Sequence, residues 1–123
     1  MRTIKFRFYK NNKLVGEQEL KPNGIIDMAY EWDHACQFTG LLDRLGKEIY
    51  EGDILTDHNR KYICSWKKEE AAFVIYGEDK YKNTTIGHRA GSAKWVQRHF
   101  EVIGNIYENP ELLEDEEVGE DVG

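Results

Sequence analysis

Apolar and polar residues alternate over much of the chain. Thr3 to Tyr9 sets the pattern: Ile4, Phe6 and Phe8 fall on one face, Lys5, Arg7 and Tyr9 on the other. A period of two is that of a half-buried strand. Lys10-Asn11-Asn12-Lys13 predicts a hairpin turn, because asparagine tolerates left-handed backbone. Leu14 to Leu20 returns as a second strand, with Gly16 marking a bulge. Pro22-Asn23-Gly24 predicts the next turn: Pro22 presets φ and Gly24 accepts a positive one. Ile25 to Trp32 then reads as a third strand and Ala35 to Phe38 as a short fourth.

The chain is organised around Gln37 to Ile54, QFTGLLDRLGKEIYEGDI. Asp43-Arg44-Leu45-Gly46 is a turn whose glycine can take the positive φ it needs. Lys47 to Tyr50 follows, a second turn at Glu51-Gly52-Asp53, and a strand from Asp53 to Thr56. Asp57-His58-Asn59-Arg60 predicts a hairpin into Lys61 to Trp66, with Tyr62, Cys64 and Trp66 on one side. A charged turn at Lys67 to Glu70 leads to an apolar strand over Ala71 to Tyr76. This run of short strands predicts an SH3-like barrel.

Residues 77–92 are polar and irregular, the place for a functional or flexible loop. Ala93 to Arg98 reads as a short strand or turn, and Glu101 to Tyr107 as the closing strand. Asn109-Pro110-Glu111 has the chemistry of a helix start: a capping amide, a proline at the first position and an acid at the positive end of the dipole. The fold expected is therefore all-β and mainly antiparallel. It comprises an N-terminal sheet over 1–40, an SH3-like half over 41–113, a short C-terminal helix and a disordered acidic tail over 114–123.

Three separated pieces of the chain carry a resemblance. They are the opening Met1-Arg2-Thr3-Ile4-Lys5-Phe6-Arg7-Phe8, the central Gln37 to Ile54 with its TGL turn and GKEIYEGD segment, and Phe100 to Leu113. In this order they resemble the YopX family of bacteriophage and prophage proteins. Tyr9 and Lys10 stand where the family often has a Trp-Asp pair, and residues 55–99 follow no family pattern. The resemblance implies a β-rich, oligomeric phage protein, and it transfers no catalytic residues.

Composition narrows the classes. The chain has 123 residues, 40% of them hydrophobic and 33% charged, which suits one globular unit. No apolar run is long enough to span a bilayer and no leader opens at Met1, so a bacterial cytoplasmic location is expected. Cys36 and Cys64 fit no paired spacing and are expected to be free thiols. The net charge of −6 is a property of the tail. Residues 111–123 hold seven acids and no base, leaving sixteen acids against seventeen bases elsewhere.

Candidate chemistry is sparse. His34 and Cys36, two apart on a strand, point the same way, but no further ligand among Cys64, His58, His88 and His99 has a recognised spacing. No metal or other cofactor is expected. Glu48, Glu51 and Asp53 lie close in sequence, yet Asp53 in a turn ordinarily serves backbone N–H groups. Ser65 and Ser92 lack a nucleophile setting. Gly87 to Gly91 lacks the ending of a phosphate loop. No catalytic constellation assembles, so the chain reads as a non-enzyme, with a hydrolase in the irregular region the weakest alternative.

Two binding readings remain. Three tryptophans and seven tyrosines exceed what a small β core hides, which favours protein contact with a host or phage partner and self-association. Cations interleaved with aromatics favour single-stranded nucleic acid instead. They occupy 60–68 and 80–99, with Lys61, Trp66, Lys80, Tyr81, Arg89, Lys94, Trp95 and Arg98 as the candidate contacts. The same lysines also suit solvated strand edges. Protein interaction is the leading reading and a nucleic-acid-binding accessory role the second.

Overall fold

A computed structural model of the protein describes residues 3–21, 31–58, 60–69, 71–77, 84–85 and 92–113. Its elements run β1 (Lys5–Lys10), β2 (Lys13–Glu19), β3 (His34–Leu42), β4 (Glu48–Tyr50), β5 (Asp53–Thr56), β6 (Lys61–Lys67), β7 (Ala72–Gly77), β8 (Thr84–Thr85), α1 (Ser92–His99) and β9 (Glu101–Asn105). They form two antiparallel sheets, in the orders β2-β1-β3-β4 and β8-β7-β6-β5-β9. The all-β, mainly antiparallel class is thus observed. Among the described residues no helix is long and apolar enough to cross a membrane.

The first hairpin follows its sequence. Asn11 and Asn12 take φ of 51° and 64°, the left-handed pair of a tight hairpin whose twist matches its strands. The register steps from Phe8 opposite Gly16 to Tyr9 opposite Leu14, so Val15 is the extra residue of a bulge beside Gly16. Residues 22–30, with the Pro22 turn and most of the expected third strand, lie outside the described residues. Glu31 and Trp32, at that strand's end, are not in a strand.

The expected break after residue 40 falls inside β3, which runs nine residues rather than four. Its first half pairs with β1 and its second with β4. Between Phe38 and Leu42 it gains two residues over β4, and Gly40 absorbs the kink at φ 88°. Thr39 repairs the ladder there: its hydroxyl donates to the Ile49 carbonyl at 2.8 Å and accepts from Leu41 N–H at 3.1 Å. The first sheet therefore continues to Tyr50, and the chain crosses to the second at Glu51-Gly52. That crossing is bonded on both sides: Glu51 N–H donates to Gln37, Gly52 N–H to Cys64, and the Gly52 carbonyl accepts from Ile106 N–H.

The main core lies on one face of the five-stranded sheet. Leu55, Tyr62, Cys64, Phe73 and Ile75 pack there with Ile49, Val96 and Phe100. Val96 comes from α1, and this is a correction: Ala93 to Arg98 lies within a helix, not a short strand or turn. Val96 and Phe100 are four apart and share the inner side, while Lys94, Trp95, Arg98 and His99 stay exposed. Arg98 and His99 in the last turn also suit the negative end of the helix dipole. The expected start at Asn109 yields one helical turn, residues 111–113.

Candidate functional site

The polar side of β1 is turned toward the rest of the molecule. Lys5 lies 5.1 Å from the centre of the Phe38 ring and pairs with Glu48. Arg7 sits 3.9 Å over the Tyr50 ring. Tyr9 is buried and stacks on Tyr107 at 4.9 Å. Alternation alone marks such residues as solvent-facing. Here they are covered, Lys5 and Arg7 by rings of the neighbouring strands β3 and β4 and Tyr9 by Tyr107 beyond β9.

Arg7 and the residues across from it line a cleft of about 480 Å³ between the sheets. Lys47 and Glu48 bound it from the first sheet, Asp53 from β5, residues 102–105 from β9, and Glu108 and Asn109 from the C-terminal turn. At this wall the β9 register steps from Gly104 opposite Ile54 to Val102 opposite Leu55, leaving Ile103 out of the ladder. Bulges of this kind re-aim side chains beside binding sites.

Asp53 is 1% exposed, and its Oδ2 accepts from Tyr50 N–H at 2.8 Å. Burial pushes its carboxyl up to about 7, against the Tyr50 hydrogen bond and the nearby Arg7, which favour the charged form. Burial likewise raises the Tyr50 hydroxyl, whose proton is donated to Glu17 at 2.6 Å. A turn position predicts that Asp53 serves a backbone N–H group, and it does serve that of Tyr50. Its burial between two sheets had no sequence signal.

The two thiols are buried and free. Burial raises Cys36 to about 11 and Cys64 well above its usual value, so both are unreactive. His34 stacks on Tyr107 at 4.6 Å, and the Tyr107 hydroxyl bonds the Cys36 thiol. Among the described residues no group of three or more His, Cys, Asp and Glu is placed to hold a metal ion.

The expected nucleic-acid contacts are only partly brought together. Lys94, Trp95 and Arg98 share α1 and are exposed. Trp66, 44% exposed, rests edge-on against Phe73. Lys61 is committed elsewhere, donating to the Leu112 carbonyl at 2.5 Å. Lys80, Tyr81 and Arg89 lie outside the described residues.

The YopX protein family model matches residues 4–114, nearly the whole chain. The chain belongs to the YopX family. A solved structure, that of protein EF1440 from Enterococcus faecalis, resembles this YopX-family chain with a TM-score of 0.52 at 22% identity, covering 89% of this chain and 97% of that one. That likeness concerns the fold. No curated protein matches the chain.

Proposed function

We propose that this YopX-family chain is a non-enzymatic interaction module of phage or prophage origin. It acts in the bacterial cytoplasm as a homo-oligomer by binding a host or phage protein. One observation carries this reading. All three tryptophans stand at the surface, each braced from below by a phenylalanine. Trp32 is 41% exposed and lies 5.5 Å from Phe8, Trp66 lies 5.0 Å from Phe73, and Trp95, 40% exposed, lies 5.0 Å from Phe100. Exposed aromatics held rigid in advance are typical anchors of protein interfaces. The SH3-like reading of the five-stranded sheet accords with this role at Trp66, which stands on its strand β6. The acidic residues 111–121 suit a basic partner.

A second reading has its own support: Trp95 shares α1 with exposed Lys94, Arg98 and His99, a cation-and-ring set suited to stacking on single-stranded nucleic acid. One experiment separates the two. The tagged full chain and its Trp32→Ala, Trp66→Ala and Trp95→Ala variants are used to capture partners from bacterial lysate, with and without nuclease. A protein that survives nuclease and is lost by about tenfold or more in one variant supports the interaction reading. Capture that vanishes with nuclease and with rising salt supports nucleic acid. Capture unaffected by all three variants refutes the tryptophans as anchors.

A further inference from the structure

The tryptophan surface leaves the cleft between the sheets without a role. Partners among its charged side chains are unequally shared. Each acid of the wall is engaged by protein groups. Glu48 pairs with Lys5. Glu108 accepts from Asn105 Nδ2 at 2.9 Å and from Leu14 N–H at 3.4 Å. Asp53 accepts from Tyr50 N–H.

The cations make no such direct bonds, although Asp53 and Glu17 lie close enough to Arg7 to favour its charged form. Among the described residues no ion pair joins Arg7 or Lys47 to an acid. Arg7 rests on the Tyr50 ring, and its Nε is buried with no hydrogen-bond partner. A buried N–H without an acceptor costs about 1–3 kcal/mol, and folded proteins hold few of them. A guanidinium is also a fork shaped for planar or tetrahedral oxyanions. Asn109 adds a donor. Its Oδ1 accepts from Asn105 N–H at 3.2 Å, which leaves the amide NH₂ to donate. The cleft volume, about 480 Å³, falls within the range of small-molecule sites, and its predominantly polar wall selects a polar ligand.

We propose that this cleft binds a small oxyanion, a carboxylate or phosphate group on a metabolite-sized molecule, held by Arg7 and Lys47 with Asn109 as a further donor. The acids of the wall stay compatible with an anion because each is already turned onto protein donors. The site is independent of the tryptophan surface, so either can fail without the other.

The test is an NMR titration of the ¹⁵N-labelled full chain with sodium phosphate and, separately, with sodium acetate. It is run at constant ionic strength and at pH 6, where Asp53 holds a proton. Saturable amide shifts are expected at Lys47, Gly104 and Asn109. Lys47→Gln, an exposed change that leaves the fold intact, is expected to weaken binding by about fivefold. Arg7→Lys keeps the charge but loses the fork, and is expected to weaken it by about tenfold. Saturation by phosphate alone assigns a phosphoryl ligand, and saturation by acetate assigns a carboxylate. Absence of saturation by both anions, shifts that map away from the cleft, or unchanged binding in Lys47→Gln overturns the proposal.

Discussion

Asp53 joins local chemistry to global stability more directly than any other titrating side chain described. It lies where the first sheet hands over to the second, almost wholly out of water. Its carboxyl is pushed up to about 7, chiefly by burial. In the unfolded chain it titrates near 4. The folded state therefore holds its proton more tightly, and the stability that this confers is full below about pH 4 and lost as pH rises through about 7. The loss amounts to roughly 4 kcal/mol, at about 1.4 kcal/mol for each of about three units of pKa difference. Urea unfolding from pH 4.5 to 8 is expected to show falling stability in the wild type. Asp53→Asn keeps an acceptor for Tyr50 N–H but has no proton to lose, so its profile should be flatter over that window. Equal slopes in both proteins would assign the effect to another group.

Elements meet at turns whose glycines do different jobs. Gly46 and Gly52 both take positive φ, 84° and 90°. A Cβ on Gly46 would meet nothing within 4 Å, so Gly46→Ala carries only the backbone penalty, about 1 kcal/mol. A Cβ on Gly52 would stand 2.9 Å from Cε2 of Tyr107, whose ring stacks on both Tyr9 and His34. That ring cannot yield without breaking two stacks, so Gly52→Ala is expected to cost about 2–4 kcal/mol. Denaturant midpoints of the two variants measure the difference, and equal losses would show that the ring does yield. The helix α1 marks the opposite case, an element that local signals carried only faintly. Ser-Ala-Lys-Trp-Val-Gln-Arg-His contains good helix formers, and its Val96 makes an i, i+4 apolar pair with Phe100 just beyond the end. One such pair reaching past eight residues competes poorly with the strands around it.

The whole molecule is tied across its sheets by Asp43. Oδ1 accepts from Leu45 and Lys47 N–H, each at 2.8 Å, which closes the turn foreseen at Asp43 to Gly46. Oδ2 accepts from Val102 N–H of β9 at 2.8 Å, a bond across to the other sheet. Arg44 adds a backbone bond to Phe100 and an ion pair with Glu101 at 2.6 Å. Asp43→Ala leaves three donors without this acceptor and is expected to cost about 3–4 kcal/mol. Because the tie spans both sheets, the loss should fall on the molecule as one cooperative unit. Single-tryptophan versions retaining Trp32 or Trp66 report the first and second sheet respectively. Their urea midpoints should coincide, and should drop together in Asp43→Ala. Midpoints that part would mean the sheets unfold independently.

The residues alone determined the local geometry. Period-two alternation marked β1 and β6, a continuous apolar run marked β7, the paired asparagines marked the first hairpin, and Asp43 to Gly46 marked the central turn, because side-chain pattern and positive φ are short-range properties of neighbouring residues. The chain order of the pieces at 1–8, 37–54 and 100–113 was enough to point to the family. Tertiary structure alone decided that both faces of β1 are covered, how far β3 extends, that 92–99 is helical, and that Arg7 and Asp53 line one cleft. These depend on what packs against an element from a distant part of the chain. Alternation states that a strand has two faces. It cannot state that the charged one will be covered as well, since that follows from Phe38, Tyr50 and Tyr107 packing on Lys5, Arg7 and Tyr9, which sequence spacing does not encode.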